Sequence, residues 1–258
     1  MRILITGAAS GIGYNLGKEL VNRNHTVYFT THTKEELVTL KAKLLENNID
    51  ALSFKMDIST DDIKLINKLK IDCLINNAAI GIGGSILDMD IKDIKKNYEI
   101  NLFSTINLIK RTYKNMIKDK INGKIYIISS LSYYTPIPFI GSYTSTKAAL
   151  STIIKTLNKE LKYLNNNINI SLIELGAYNT GFNNVMIENK NKYMKNKLFN
   201  NLDLINKEQK KYFSKIEKTN FKGLNKRLIR SIESKKPKKI IREPKLISLL
   251  AKIYLLFH

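Results

Sequence analysis

Tyr143 and Lys147 stand four residues apart in Ser142 to Leu164, a stretch whose pattern predicts a long helix, so both side chains leave one helical face. A free tyrosine, with a pKa near ~10, is a poor acid or base at neutral pH. A lysine cation beside it stabilises the phenolate and brings that pKa toward the working range, as general acid–base catalysis requires. Ser130, thirteen residues before the tyrosine, can hydrogen-bond an oxygen that gains or loses charge. Taken singly, the Tyr-x-x-x-Lys pair is as well read as an exposed helix pair, and the serine as a strand-end turn residue.

A second chemical signal lies near the start. Thr6-Gly7-Ala8-Ala9-Ser10-Gly11-Ile12-Gly13 follows the apolar run Ile3-Leu4-Ile5 and precedes a helical pattern, Tyr14 to Arg23, with Leu16, Leu20 and Val21 inward. In a strand–turn–helix context Gly7 permits a tight turn, Gly11 lets the backbone approach a pyrophosphate, and Gly13 lets helix and strand pack closely. The free N–H groups and partial positive charge of the helix start then suit phosphates. The spacing is G-x-x-x-G-x-G, and by itself it also fits a glycine-rich turn with no ligand.

The elements that must position these residues alternate along the chain. Strands are expected at Thr26–Thr30, Ala51–Lys55, Asp72–Asn76, Gly123–Ser129 and Ile168–Glu174. Between them lie a helix from Thr33, its N-cap, to Asn47 with Leu37, Leu40, Leu44 and Leu45 inward, and a short helix from Thr60 to Leu69. Helical pattern from Ile91 to about Ile117 predicts two helices meeting near Tyr98. This order predicts an α/β fold: one doubly wound parallel sheet (Rossmann fold) in a three-layer α/β/α sandwich, with the ligand crevice at the carboxyl ends of the strands. Met56-Asp57-Ile58, Asn76-Asn77-Ala78-Ala79, Ser129-Ser130 and Gly176-Ala177-Tyr178-Asn179-Thr180 all fall at such ends. With the glycine loop after the first strand these make five, and one shared cleft accounts for them better than five separate turns.

In these residues the chain resembles the short-chain dehydrogenase/reductase family over about residues 2–182. Thr6 to Gly13 is similar to the family's T-G-x-x-x-G-I-G loop, Asn76 to Ala79 to its N-N-A-G signature, and Gly176 to Thr180 to its P-G-x-x-x-T segment. Asn101, Ser130, Tyr143 and Lys147 match its catalytic set. The resemblance implies an NAD(P)-dependent oxidoreductase acting on a carbonyl or secondary alcohol, with Tyr143 as acid/base, Lys147 also on the nicotinamide ribose, Ser130 on the substrate oxygen and Asn101 holding a water. It implies cofactor contacts at Gly7, Ser10, Gly11, Ile12, Gly13, Thr31, His32, Asp57, Asn77, Ala78, Tyr143, Lys147, Gly176 and Thr180. Two departures bear on cofactor fit: Ala79 replaces the signature's last glycine, and Leu175 its proline. A nucleotide-binding or membrane-surface-associated regulator of the same fold, without the chemistry, is the alternative. A homodimer or homotetramer is implied by common practice in the family.

An acid at the end of the second strand would bind the ribose hydroxyls of NAD and repel the 2′-phosphate of NADP. Thr31 stands there, followed by His32, Thr33 and Lys34 with no acid, so NADP is expected, with NAD possible. One cysteine and three scattered histidines exclude a disulfide within the chain and predict no metal site. The absence of a leader or long apolar span predicts a cytoplasmic protein.

The net charge is +21. The richness in Lys, Asn and Ile together fits A/T-rich coding, so no nucleic-acid partner is expected. The excess is uneven, however: residues 183–258 hold 20 Lys and Arg against 6 Asp and Glu. This tail is expected to form a substrate lid from Phe182, Val185, Met186, Tyr193, Met194, Leu198, Phe199 and Leu202, suited to an apolar substrate. A basic approach over 235–242 then leads to a last strand. The apolar segment Leu246 to Phe257 reads as a helix packed on the lid or a partner copy, or more sharply as one resting weakly on a membrane surface.

Overall fold

Ile3, Leu4 and Ile5 are wholly buried, because strand β1 (Arg2–Ile5) lies at the middle of a sheet covered on both faces. In the computed structural model, which describes residues 1–194 and 198–257, β1 is joined by β2 (Thr26–Thr31), β3 (Leu52–Lys55), β4 (Cys73–Asn76), β5 (Lys124–Ser130), β6 (Asn169–Leu175) and β7 (Ile240–Glu243). All pair in parallel, in the order β3-β2-β1-β4-β5-β6-β7. The helices are α1 (Gly11–Val21), α2 (Lys34–Glu46), α3 (Ile91–Tyr98), α4 (Thr105–Lys118), α5 (Gly141–Glu160), α6 (Phe182–Glu188), α7 (Lys190–Tyr193), α8 (Leu202–Ile216), α9 (Lys222–Glu233) and α10 (Lys245–Phe257).

Alternation along the strands sorts the core into two layers. Ile3, Ile5, Ile75, Tyr126 and Ile173 face Leu16 and Leu20 of α1, Leu40 and Leu44 of α2, and Leu228 and Ile232 of α9. Leu4, Leu74, Ile125, Ile127 and Leu172 face Leu108 and Met116 of α4 and Leu150 and Ile154 of α5. The fold is thus the expected three-layer, doubly wound sheet. A smaller cluster of Ile140, Met186, Ile187 and Phe213, with Tyr143 and Ala177 against it, joins α6 and α8 to the start of α5.

Several boundaries differ from expectation, each for a local reason. α1 begins at Gly11 rather than Tyr14, so the second half of the glycine stretch is already the helix's first turn. Leu45 is 80% exposed. At about 100° per residue it sits roughly a quarter turn beyond the stripe of Leu37, Leu40 and Leu44. Thr33 caps α2 as expected, and Glu36 completes a reciprocal capping box. Asp61–Lys68 forms 3-10 turns, not an α-helix. The two helices between Ile91 and Lys118 are joined by a wider π-type turn, Glu99–Ser104. α5 ends at Glu160 and closes in a 3-10 turn, Leu161–Tyr163. Among the described residues the tail holds five helices where the sequence pattern distinguished only one.

Gly17 shows how closely α1 packs on the sheet. A Cβ there would stand 2.4 Å from the ring of Phe29 and 3.1 Å from Ile5 Cδ1, and both of these side chains are wholly buried. Gly17→Ala is expected to destabilise the protein by ~1–3 kcal/mol in urea unfolding, although alanine favours helix by ~1 kcal/mol. Phe29→Leu in the same chain should recover part of the loss. A Gly17→Ala variant at least as stable as the parent would contradict this packing.

Candidate active site

β1 and β4 are neighbours, yet the chain leaves them toward opposite edges of the sheet; a crevice opens at such a switch point. One hydroxyl holds it. Thr6 Oγ1 accepts from the backbone N–H groups of Asn77 and Ala78, each at 3.0 Å, and donates to Asn76 Oδ1 at 3.1 Å. Asn77 Nδ2 donates to the carbonyls of Thr6 and Gly7, which fixes the loop from above. Gly7 and Gly11 have φ of +60° and +57°, a region side chains disfavour. A Cβ on Gly7 would lie 2.8 Å from Ala78 Cα, and one on Gly11 3.0 Å from Thr180 Cβ. Ser10 is exposed and extended, its side chain making no cap bond to α1, so the first-turn N–H groups at Gly11, Ile12 and Gly13 remain for an anion. This backbone cradle fits a dinucleotide's pyrophosphate. Gly176 is packed against Pro244, where a Cβ would lie 2.9 Å from its Cδ.

α5, which carries Tyr143 and Lys147, is pinned by two asparagines. Asn97, wholly buried, accepts from Ile82 N, donates to Ile82 O, and donates to Ser142 Oγ at 2.8 Å. Asn101, also wholly buried, does the same one turn later with Ile80 N, Ile80 O and Thr146 Oγ1. Ser142 and Thr146 immediately precede Tyr143 and Lys147. Both asparagines therefore set the rotation of α5, and with it the direction of the two chemical side chains. The amide of Asn101 is thereby engaged with the protein.

Tyr143 and Lys147 come together as expected: Lys147 Nζ is 5.7 Å from the centre of the Tyr143 ring. The electrostatics run differently. Burial pushes the Tyr143 phenol above its ordinary value, and a hydrogen bond with Ser130 pulls it part of the way back. Burial also takes Lys147 down to about 8. Desolvation thus outweighs the mutual tuning that the i, i+4 spacing suggested. Lys147 is 3% exposed and has one acceptor among the described residues, Ile128 O at 3.1 Å. An ammonium carries three donors, so this one fits a ligand rich in hydroxyls. Ser130 is held by Ser132, donating to its Oγ at 2.9 Å and accepting from its N–H at 3.1 Å.

The end of β2 departs most from the sequence reading. Thr31 is wholly buried and its hydroxyl donates to Thr33 O at 3.0 Å, so that hydroxyl is already engaged with the main chain. His32 is exposed, with Nε2 3.8 Å from Asp57 Oδ2. An acid is present after all: Glu36 Oε2 accepts from His32 N at 2.9 Å, an arm of its capping role. Asp57 accepts from both the N–H and the hydroxyl of Ser59, as a turn-capping residue does.

Other residues shaping the cleft carried little signal in the sequence. Lys190, wholly buried at the start of α7, donates to Gln209 Oε1 and lies 5.1 Å from the Phe139 ring centre; burial takes it down to about 8. Gln209 in turn donates to Pro138 O at 2.6 Å. Phe182 packs on Tyr143 at 5.5 Å, and Phe199 on Phe139 at 5.2 Å. Met186 and Met194 are buried, whereas Val185 and Leu198 face outward. Behind Ser130, the wholly buried Glu174 meets Lys155 at 2.8 Å, Arg242 at 2.5 Å and the hydroxyls of Tyr133 and Tyr134. Burial alone would raise its pKa; the hydrogen bonds from Lys155 and Tyr133 and the two cations more than offset that and lower it.

A family model described as short chain dehydrogenase matches residues 1–191. The chain belongs to that family. The 3-ketodihydrosphingosine reductase of Bacteroides thetaiotaomicron is 30% identical over 181 residues, covering 70% of this chain and 65% of that protein, so the match spans a little under two thirds of that relative's length. The 3-oxoacyl-[acyl-carrier-protein] reductase of Buchnera aphidicola is 31% identical over 199 residues, covering 74% of this chain and 79% of the relative. Among solved structures, a short chain dehydrogenase/reductase from Burkholderia phymatum in complex with NAD shares the fold at a TM-score of 0.82 and 15% identity, covering 97% of this chain and 91% of its own. A short-chain dehydrogenase from Streptomyces avermitilis does so at 0.74 and 18%, covering 100% and 92%.

The depressed Lys147 has a consequence for stability. Between about 8 and the ordinary lysine value of ~10.4, the unfolded chain binds more protons than the folded one, so this group's contribution rises with pH. The stability of the parent relative to Lys147→Met is expected to climb by up to ~1 kcal/mol per pH unit from pH 8 to 10. Urea unfolding at four pH values checks this; a flat difference would mean that the ammonium is not desolvated.

Proposed function

We propose that this protein is an NAD(P)-dependent oxidoreductase that interconverts a carbonyl and a secondary alcohol, with Tyr143 as general acid and base and NADPH as the preferred nucleotide. The observation that carries this reading is the meeting of Tyr143, Lys147 and Ser130 at the strand ends beside the Gly7–Gly13 cradle. Gly7, Ser10, Gly11, Ile12 and Gly13 would hold the pyrophosphate, Asn77 and Ala78 the adenosine side, Gly176 and Thr180 the nicotinamide side, and Lys147 the ribose hydroxyls. When bound, the nicotinamide supplies the hydride chemistry.

The rest belongs to the chain. In the reducing direction Tyr143 Oη gives its proton to the substrate oxygen, and Ser130 Oγ hydrogen-bonds that oxygen as charge develops. Lys147 stabilises the phenolate left behind; the same groups act in reverse for oxidation. The Asn101 amide is occupied by Ile80 and Thr146, so a water-holding role at this position would pass to the main chain of the π-type turn, which pairs i with i+5 in place of i+4. The lid side chains Phe182, Met186 and Met194 favour an apolar keto compound. The names of the two relatives quoted above, a 3-ketodihydrosphingosine reductase and a 3-oxoacyl-[acyl-carrier-protein] reductase, are in keeping with that.

The NADPH preference is supported by the exposed His32 and Lys34, by a threonine in place of an acid at position 31, and by Glu36 being directed to main-chain N–H groups. NADPH oxidation over a panel of short polar and long apolar aldehydes and ketones is the direct test. Tyr143→Phe is expected to lower turnover by at least ~10²-fold while NADPH still binds, as read by nucleotide fluorescence; parental turnover in that variant would remove the mechanism. The parent should use NADPH more efficiently than NADH, and His32→Asp should narrow or reverse the order. Better turnover with NADH in the parent would refute the preference.

A further inference from the structure

α10 presents two unlike faces. Ser248 and Ala251 are each 5% exposed, and Ile247 and Ala251 pack on Leu131 and Tyr134. On the other side Leu246 is 68% exposed, Leu249 and Leu250 56% each, and Ile253 42%. These four follow i, i+3, i+4, i+7 spacing, so they form one apolar stripe on the outside of the molecule. Large exposed stripes of this kind mark contact surfaces.

Beside the stripe lies a cleft of ≈ 280 Å³ lined by Arg227, Arg230, Lys236, Lys238 and Lys245. Arg227 is bound to Glu243. Arg230, Lys236, Lys238 and Lys245 have no carboxylate partner among the described residues. Lys245 joins the two features: it lines the cleft, opens α10, and stands one helical turn before Leu249. The cleft and stripe lie in the most basic part of the chain, where 20 Lys and Arg face 6 acids.

We propose that this face docks on an anionic phospholipid bilayer, with α10 lying in the interface and the cationic cleft taking lipid phosphates. Charge complementarity selects this occupant. A second copy would bring the same basic surface against itself, whereas an acidic leaflet attracts it and offers acyl chains to the leucines. Thirteen residues at 1.5 Å rise are too short to cross a bilayer, and no helix among the described residues is long and apolar enough to do so. This inference does not depend on the oxidoreductase reading.

Co-sedimentation of the full chain with vesicles tests it. The protein is expected to bind phosphatidylglycerol/phosphatidylcholine vesicles at least ~tenfold more tightly than pure phosphatidylcholine ones, with affinity falling as salt rises. Leu249→Asp with Leu250→Asp changes exposed positions only, so folding, checked by circular dichroism, should persist while vesicle binding drops at least ~tenfold. Lys236→Glu with Lys238→Glu should weaken binding to the anionic vesicles by a similar factor. No binding to either vesicle, or binding untouched by the leucine pair, overturns the proposal. So does a dimer in sedimentation equilibrium that the leucine pair dissociates while vesicles are ignored.

Discussion

The chemistry proposed for this protein depends on the rotation of one helix about its own axis. A turn of α5 by a single residue's angle, about 100°, would carry Tyr143 and Lys147 out of the cleft while leaving the helix intact. Apolar packing alone is a poor lock, since it tolerates sliding among leucines and isoleucines of similar size. Hydrogen bonds at fixed positions are a better one. Asn97 reads Ser142 and Asn101 reads Thr146, each while bonded to both polar groups of an extended residue, Ile82 or Ile80. All four side chains are almost completely buried, so any slip would leave several polar groups dry and unpaired. The Thr6 hydroxyl does the same on the cofactor side, tying the end of β4 to the glycine loop.

Buried charge is distributed by purpose. Glu174 is surrounded by Lys155, Arg242 and two tyrosine hydroxyls, and such full satisfaction makes a rigid block. It stands directly behind the turn Leu131–Tyr133 that follows Ser130, and so steadies the serine. Lys147 and Lys190 are buried with far fewer partners, and both are pushed down to about 8. The well-paired group serves as scaffold, whereas the poorly paired Lys147 stands beside Tyr143.

Most of the sheet was legible because buried parallel strands read as short apolar runs and the glycine loop lies between a strand and a helix. Tyr143 and Lys147 were legible because helical spacing alone brings them together. Side-chain direction was not. Thr31 sits at the expected strand end, yet its side chain is buried and its hydroxyl bonded to the main chain. Glu36 is four residues beyond His32, but the capping box folds it back to the strand end. Asn97 looks like any polar residue of a helix surface, because its partners are 15 and 45 residues away. The tail helices α6 to α9 were missed because lysine and asparagine dilute their apolar period; tertiary contacts with Ile140 and the sheet define them instead.

The π-type turn at Glu99–Ser104 makes the length of its segment a constraint. Such a turn takes up one residue more than an α-turn; here it holds Asn101 itself and lies between α3, which carries Asn97, and the core residues Leu108 and Met116 of α4. Deleting one residue would give a more regular helix and better local pairing. It would also rotate everything downstream relative to everything upstream, so either the anchors or the sheet contacts would be lost. Helical irregularity is thus the cheaper solution, and gaps in this stretch should be rarer among working homologues than substitutions.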